Sequence, residues 1–137
     1  MRIYILLFFI TGIFSHSQAQ TITDTIVYIE NDTINSLDVK PEFPGGEVAF
    51  EKFLSTRLIY PEDAKKKNIQ GTTYIEFIVE KDGSLSNFKV VDGKSVCPSI
   101  DQAVINVLLK SPRWKPGLKN GQPIRVRRIK KTKFVLN

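Results

Sequence analysis

The sequence predicts a small α+β domain in which a three-stranded antiparallel sheet carries two main helices packed on one face. Three patterns predict it. Apolar residues recur at helical spacing in two stretches, through Phe50, Phe53, Leu54 and Leu58 and again through Ala103, Val104, Val107 and Leu108. Between them, alternating runs at 72–80 and 85–91 flank the turn Lys81-Asp82-Gly83-Ser84, the pattern of a hairpin. A further alternating run at 122–136 closes the chain. With 137 residues, 42% hydrophobic and 25% charged, the chain can fill one modest core and not two.

At the N-terminus, Arg2 precedes an apolar run over 3–14, followed by a polar stretch and the small residue Ala19. This predicts a secretory signal peptide over 1–19, cleaved to leave Gln20 first, and hence a periplasmic protein. The alternative is an uncleaved inner-membrane anchor, which needs roughly 17 to 25 apolar residues. No cysteine lies near the cut, so a lipid anchor is not expected. Residues 20–40, rich in Thr, Asp and Asn, form a leader whose order the composition leaves open. The alternation Thr25-Ile26-Val27-Tyr28-Ile29 within it suits a short strand.

The domain is expected over 41–137. Pro44-Gly45-Gly46 introduces a first helix at 47–58. Pro61, followed by Glu62 and Asp63 and then by Lys65, Lys66 and Lys67, predicts a short helix at 61–68 with charges matched to both ends of its dipole. Ser99 with Gln102 reads as a capping box for a helix at 100–111, which Pro112 stops. After the turn-rich Trp114-Lys115-Pro116-Gly117 and Asn120-Gly121, one long terminal strand is expected over 122–136. Phe77 and Trp114 are expected in the core.

Composition excludes much chemistry. Beyond His16 there is no histidine, and Cys97 is the single cysteine, so a Cys/His or Ser/His/Asp nucleophilic site cannot be assembled. A structural zinc site lacks its ligands too. The thiol of Cys97 is expected either buried as a small hydrophobe or available for a dimer. Glu47 and Glu51 lie one helical turn apart and Glu62 neighbours Asp63, and Glu47, Glu62 and Asp63 have a simple reading as helix-start acids. Gly45-Gly46 lacks the spacing of a phosphate loop. The expectation is a binding module, not an enzyme, with no cofactor and no metal.

Charge is unevenly spread. Residues 102–137 carry ten basic and no acidic side chains. Such a ribbon suits an anionic partner or a peripheral contact with an anionic envelope surface. No nucleic-acid motif accompanies it. A further reading is that Lys and Arg protect an edge strand from aggregation.

The punctuating residues narrow the choice of fold. Pro44-Gly45-Gly46, Tyr60-Pro61 with Ala64, Gly71, the run Tyr74-Ile75-Glu76-Phe77-Ile78-Val79 with Asp82-Gly83, Trp114-Lys115-Pro116-Gly117, Asn120-Gly121-Gln122-Pro123, and Phe134 with Leu136 together resemble the C-terminal domain of the TonB family. The resemblance covers 41–136. It implies a non-enzymatic module that pairs by strand addition with an extended segment, the TonB box, of outer-membrane TonB-dependent transporters. It also implies partner-binding positions: Lys65, Asn68, Ile69 and Gln70 beside the Tyr-Pro helix, and Arg125, Arg127, Arg128, Ile129 and Lys131 in the terminal strand. Lys65 stands where the best-known members carry glutamine. The terminal strand has Arg128, Lys130 and Thr132 where relatives are often apolar, which implies a more acidic partner or another ligand. Force-transmitting members have a membrane anchor and a long Pro-rich linker. A leader of about 25 residues to Gly45 spans at most about 90 Å, so binding or adaptor work is expected in place of energy transduction by this chain alone. A homodimer is left open. The alternative function is a basic, envelope-associated structural or adaptor protein that binds anionic polymer or another periplasmic protein.

Overall fold

The computed structural model describes residues 37–137 and the backbone of Val27–Ile29. The expected signal peptide over 1–19 and the rest of the leader before residue 37 lie outside the described residues. The elements in chain order are β1 (Val27–Ile29), α1 (Glu47–Arg57), α2 (Glu62–Lys66), β2 (Gly71–Val79), β3 (Leu85–Val90), α3 (Pro98–Leu108), β4 (Gly117–Lys119), β5 (Gln122–Ile124) and β6 (Val126–Phe134). The expected antiparallel sheet is present as β6-β2-β3, with β1 added in parallel on the outer side of β6.

β2 is the central strand, and its alternation decides the layering. Thr73, Ile75, Phe77 and Val79 are fully buried on the face that α1 and α3 cover. α1 contributes Phe50, Phe53 and Leu54, and α3 contributes Ile100, Val104, Val107 and Leu108. Trp114 is buried at the centre of an aromatic cluster, with ring centroids 4.9 Å from Phe50, 5.7 Å from Phe43 and 5.8 Å from Phe77. Edge-to-face geometry adds to the area these rings bury.

Gly83 explains how Trp114 reaches that centre. Its amide donates to the Glu80 carbonyl at 2.9 Å, and its own carbonyl accepts the Trp114 amide at 2.9 Å. A Cβ on Gly83 would stand 2.0 Å from the Trp114 carbonyl oxygen, at a φ of +87° that L side chains rarely adopt. Beside it, the Asp82 carboxylate accepts from the Ser84 hydroxyl and amide, and these bonds hold its pKa below the ordinary carboxylate value.

The Tyr-Pro motif is a brace. The Tyr60 hydroxyl donates to the Ile69 carbonyl, and its ring meets Phe134 edge-on at 5.4 Å, tying the α2 segment to the end of β6. A buried polar contact braces α3: Asp101, in its first turn, accepts from the Thr73 hydroxyl at 2.5 Å and from the Ser95 hydroxyl.

Two expectations are corrected. The terminal strand is not continuous over 122–136, because Gln122–Ile124 pairs back on Gly117–Lys119 as a separate hairpin and β6 begins only after Arg125. Asn120 and Gly121 both adopt positive φ, the conformation of a two-residue hairpin turn, and that turn captures the segment containing Pro123. Ser99 does not cap α3; the helix starts earlier, with Cys97 at the cap position and Pro98 in the first turn, and the Gln102 side chain bonds to Asn106 instead. The Cys97 thiol is free and half-buried against the core.

Candidate functional site

A sheet offers a partner its outer edges. Here the two outer strands of the antiparallel core differ. β3 carries one extra residue relative to β2, between the pairs Glu76↔Lys89 and Ile78↔Ser86, and Asn87 takes a left-handed φ of 52°. Such a bulge breaks the ladder and blunts that edge. β6 is regular, matching β2 residue for residue from Gly71↔Phe134 to Val79↔Val126.

The outer side of β6 is divided. Val126, Arg127 and Arg128 pair in parallel with Val27, Tyr28 and Ile29. From Ile129 to Phe134 that side has no strand partner among the described residues. A groove of about 270 Å³ runs along this open part, with Leu54 of α1 and Leu58 just past its end as apolar lining, Glu51 and Ser55 beside them, and residues 130–133 as its strand wall.

Side chains of β6 alternate between two faces. Arg128 and Lys130 point toward α1. The Arg128 guanidinium lies 5.1 Å from the Trp114 ring and 3.6 Å from the Glu47 carboxylate, and Lys130 lies over Phe50 and pairs with Glu51. The match is geometric: one helical turn from Glu47 to Glu51 advances about 6 Å, and two strand residues advance about 6.7 Å. On the other face, Arg127 reaches Glu76 at 3.3 Å and Lys131 stands over Tyr74. Arg125, just before β6, grips both oxygens of Glu80 at 2.8 and 3.1 Å.

The ribbon that looks purely basic in sequence is therefore half matched in space. Five of its ten cations, Arg113, Arg125, Arg127, Arg128 and Lys130, lie against Asp82, Glu80, Glu76, Glu47 and Glu51. Exposed Lys131 and Lys133 have no carboxylate partner among the described residues.

The expected partner-binding residues fall in two groups. Arg125, Arg127, Arg128, Ile129 and Lys131 lie on or next to β6, with Ile129 at the point where the open edge begins. Lys65, Asn68, Ile69 and Gln70 lie around the end of α2. Lys65 pairs loosely with Glu62 at 3.8 Å, Asn68 is exposed with a left-handed φ of 53°, and Ile69 packs against the core. Gln70 reaches the far end of the terminal segment, where its side-chain oxygen accepts the Leu136 amide at 2.9 Å. Leu54 and Leu58 were legible as helix core positions but not as a groove lining, because the groove exists only where α1 crosses beside an unpaired strand.

The arrangement is an antiparallel sheet with one regular outer strand, partly unpaired among the described residues, beside a groove lined by two leucines and by polar and charged side chains. The family model for the Gram-negative bacterial TonB protein C-terminal domain matches residues 56–136, and this chain belongs to that family. Among solved structures it is similar to two NMR structures of the Helicobacter pylori TonB C-terminal domain. One is 20% identical, with 69% of this chain and 87% of that chain covered at a TM-score of 0.49. The other is 18% identical, with 62% and 89% covered at 0.39. A search of curated proteins returned no match. No described helix is long and apolar enough to cross a membrane.

Proposed function

We propose that this chain is a non-enzymatic periplasmic binding module that accepts the TonB box of an outer-membrane TonB-dependent transporter as an added strand on β6, supporting or modulating energy-coupled uptake. The observation that carries this reading is the two-thirds of β6 that has no outer strand partner among the described residues, regular in register and flanked by the groove that Leu54 and Leu58 help line, while the opposite outer strand is bulged. Backbone pairing supplies affinity in this mode, and alternate side chains of the guest meet the groove and supply selectivity. Ile129 and Lys131 contact the guest's neighbourhood directly, and the residues Lys65 to Gln70 border its far end. The internal pairing of the basic ribbon favours this reading over general attachment to anionic polymer.

The test is a titration of isotope-labelled protein with a synthetic TonB-box peptide from a transporter of the same cell. Amide shifts should concentrate at residues 129–134, with cross-strand contacts between peptide and β6. Shifts confined to the exposed lysines, with no cross-strand contact, would overturn the reading.

A further inference from the structure

We infer that the leader strand β1 is an intramolecular competitor for the partner-binding edge, so that the chain regulates its own access; this rests on the strand-addition reading above. β1 occupies Val126, Arg127 and Arg128, the first third of the nine-residue strand, and the remainder has no outer strand partner among the described residues. Among the described residues it forms three register pairs, and it pairs in parallel, the slightly weaker mode per residue. A strand held this lightly is displaceable by a guest that engages the whole edge.

The leader's chemistry suits the place it takes. Val27, Tyr28 and Ile29 are β-branched or aromatic residues that favour strands. Residues 20–40 carry Asp24, Glu30, Asp32 and Asp38 against the single cation Lys40, while residues 125–133 carry six cations and no acid. Four of those six are already matched to Glu80, Glu76, Glu47 and Glu51, so charge adds a modest attraction and backbone pairing carries the contact. Its far end is fixed to the domain: the Asp38 and Val39 amides both donate to the Leu118 carbonyl, at 3.0 and 3.2 Å, and the Leu118 amide donates back to the Val39 carbonyl at 2.9 Å. Tethered there, β1 faces the edge at an effective concentration on the order of millimolar. A guest then binds only the fraction of molecules whose edge is free, and its apparent affinity falls by that fraction.

The test uses the chain beginning at Gln20 and two variants, Tyr28→Pro and the double variant Val27→Pro/Ile29→Pro. Donors of residues 27 and 29 point to one side of β1 and that of 28 to the other, so one variant removes the bonds to β6. Neither touches the described core, and circular dichroism checks that both remain folded. The probe is a synthetic peptide with the sequence of residues 24–32, added in trans. The release variant should bind it with a dissociation constant at or below the low-millimolar range, since a strand paired mostly in cis must do so. The parent should bind it about tenfold more weakly, for an edge nine-tenths occupied. Hydrogen exchange at residues 126–128 should quicken in the release variant alone. Equal peptide binding by parent and both variants, no binding by any of them at several millimolar, or unchanged exchange at 126–128 would each overturn the inference. The TonB-box titration repeated on the release variant separates the two ideas: tighter leader-peptide binding without TonB-box binding sinks the proposed function and leaves the competitor standing.

Discussion

Thr132 sits in the wall of the groove beside β6, and its Oγ1 is buried with no hydrogen-bond partner among the described residues. An unsatisfied buried hydroxyl costs the desolvation it suffered without return, so Thr132→Val should raise stability by about 1 kcal/mol. A denaturant midpoint moving upward with unchanged slope is the expected readout, and a lower midpoint would mean that water satisfies the hydroxyl. Trp114 is the opposite case. Its ring fills the space between Phe43, Phe50 and Phe77, and its indole N–H donates to the Ser111 hydroxyl at 2.9 Å. Trp114→Ala should cost roughly 3 to 5 kcal/mol through the cavity it leaves. Guanidinium unfolding of the variant checks this, and a near-parent midpoint would mean that the ring is not the centre of the core. The ion pairs of Arg128 and Lys130 are a smaller matter. Glu47 and Glu51 are more than half exposed, so each pair contributes below about 1 kcal/mol and acts chiefly to orient the strand's long side chains.

At the scale of the element, the decisive feature of β6 is that its consecutive N–H groups face opposite sides. Arg128 and Ile129 are neighbours, so one donates into the β2 ladder and the other toward the outer edge. Arg128→Pro and Ile129→Pro should therefore differ: one loses a ladder bond and much of its stability, while the other stays folded and loses guest binding. Thermal unfolding paired with peptide titration separates them, and two variants that both fold and bind as the parent does would show that β6 is not the pairing strand. Gly83→Ala probes the hairpin that seats Trp114; the clash with the Trp114 carbonyl and the positive φ should together cost about 3 kcal/mol or more, read from the shift in melting temperature. These elements also show what a sequence can carry. β2, β3 and both main helices follow from period-two and helical spacing, and the Tyr60-Pro61 and Asp82-Gly83 punctuation marks their ends. The break before β6 escaped because Gln122, Pro123 and Ile124 continue the alternation of the strand; only the three-dimensional pairing with Gly117–Lys119 reveals the split. The short strand in the leader was legible as an alternation, but its place on β6 was not, since neither partner nor direction is written in Val27-Tyr28-Ile29.

For the whole molecule, the uneven charge along the chain proves a matter of which segments meet. The acids of α1 and β2 precede the cations of β6 in sequence and lie beside them in space, so the field expected from a ten-cation ribbon is roughly halved, to five exposed lysines. That arrangement makes a prediction about binding that sequence charge alone reverses. Were the ribbon free, attachment to an anionic partner would weaken by orders of magnitude as salt rises, because exposed charges separated by more than the Debye length, about 10 Å at 0.1 M, stop cooperating. With Arg125, Arg127, Arg128 and Lys130 held on Glu80, Glu76, Glu47 and Glu51, the cations next to the open edge that lack a carboxylate partner among the described residues are Lys131 and Lys133. Backbone hydrogen bonds and burial against Leu54 and Leu58 are insensitive to salt by comparison. The affinity for an extended peptide guest should accordingly fall by less than about fivefold between about 50 and 300 mM salt, with most of the change in the association rate, where weak steering acts. Calorimetry across the series measures the first and stopped-flow fluorescence the second. A loss of a hundredfold or more would place the binding energy in free charge, and the edge of β6 would then be a scaffold for lysines and not the site of strand addition.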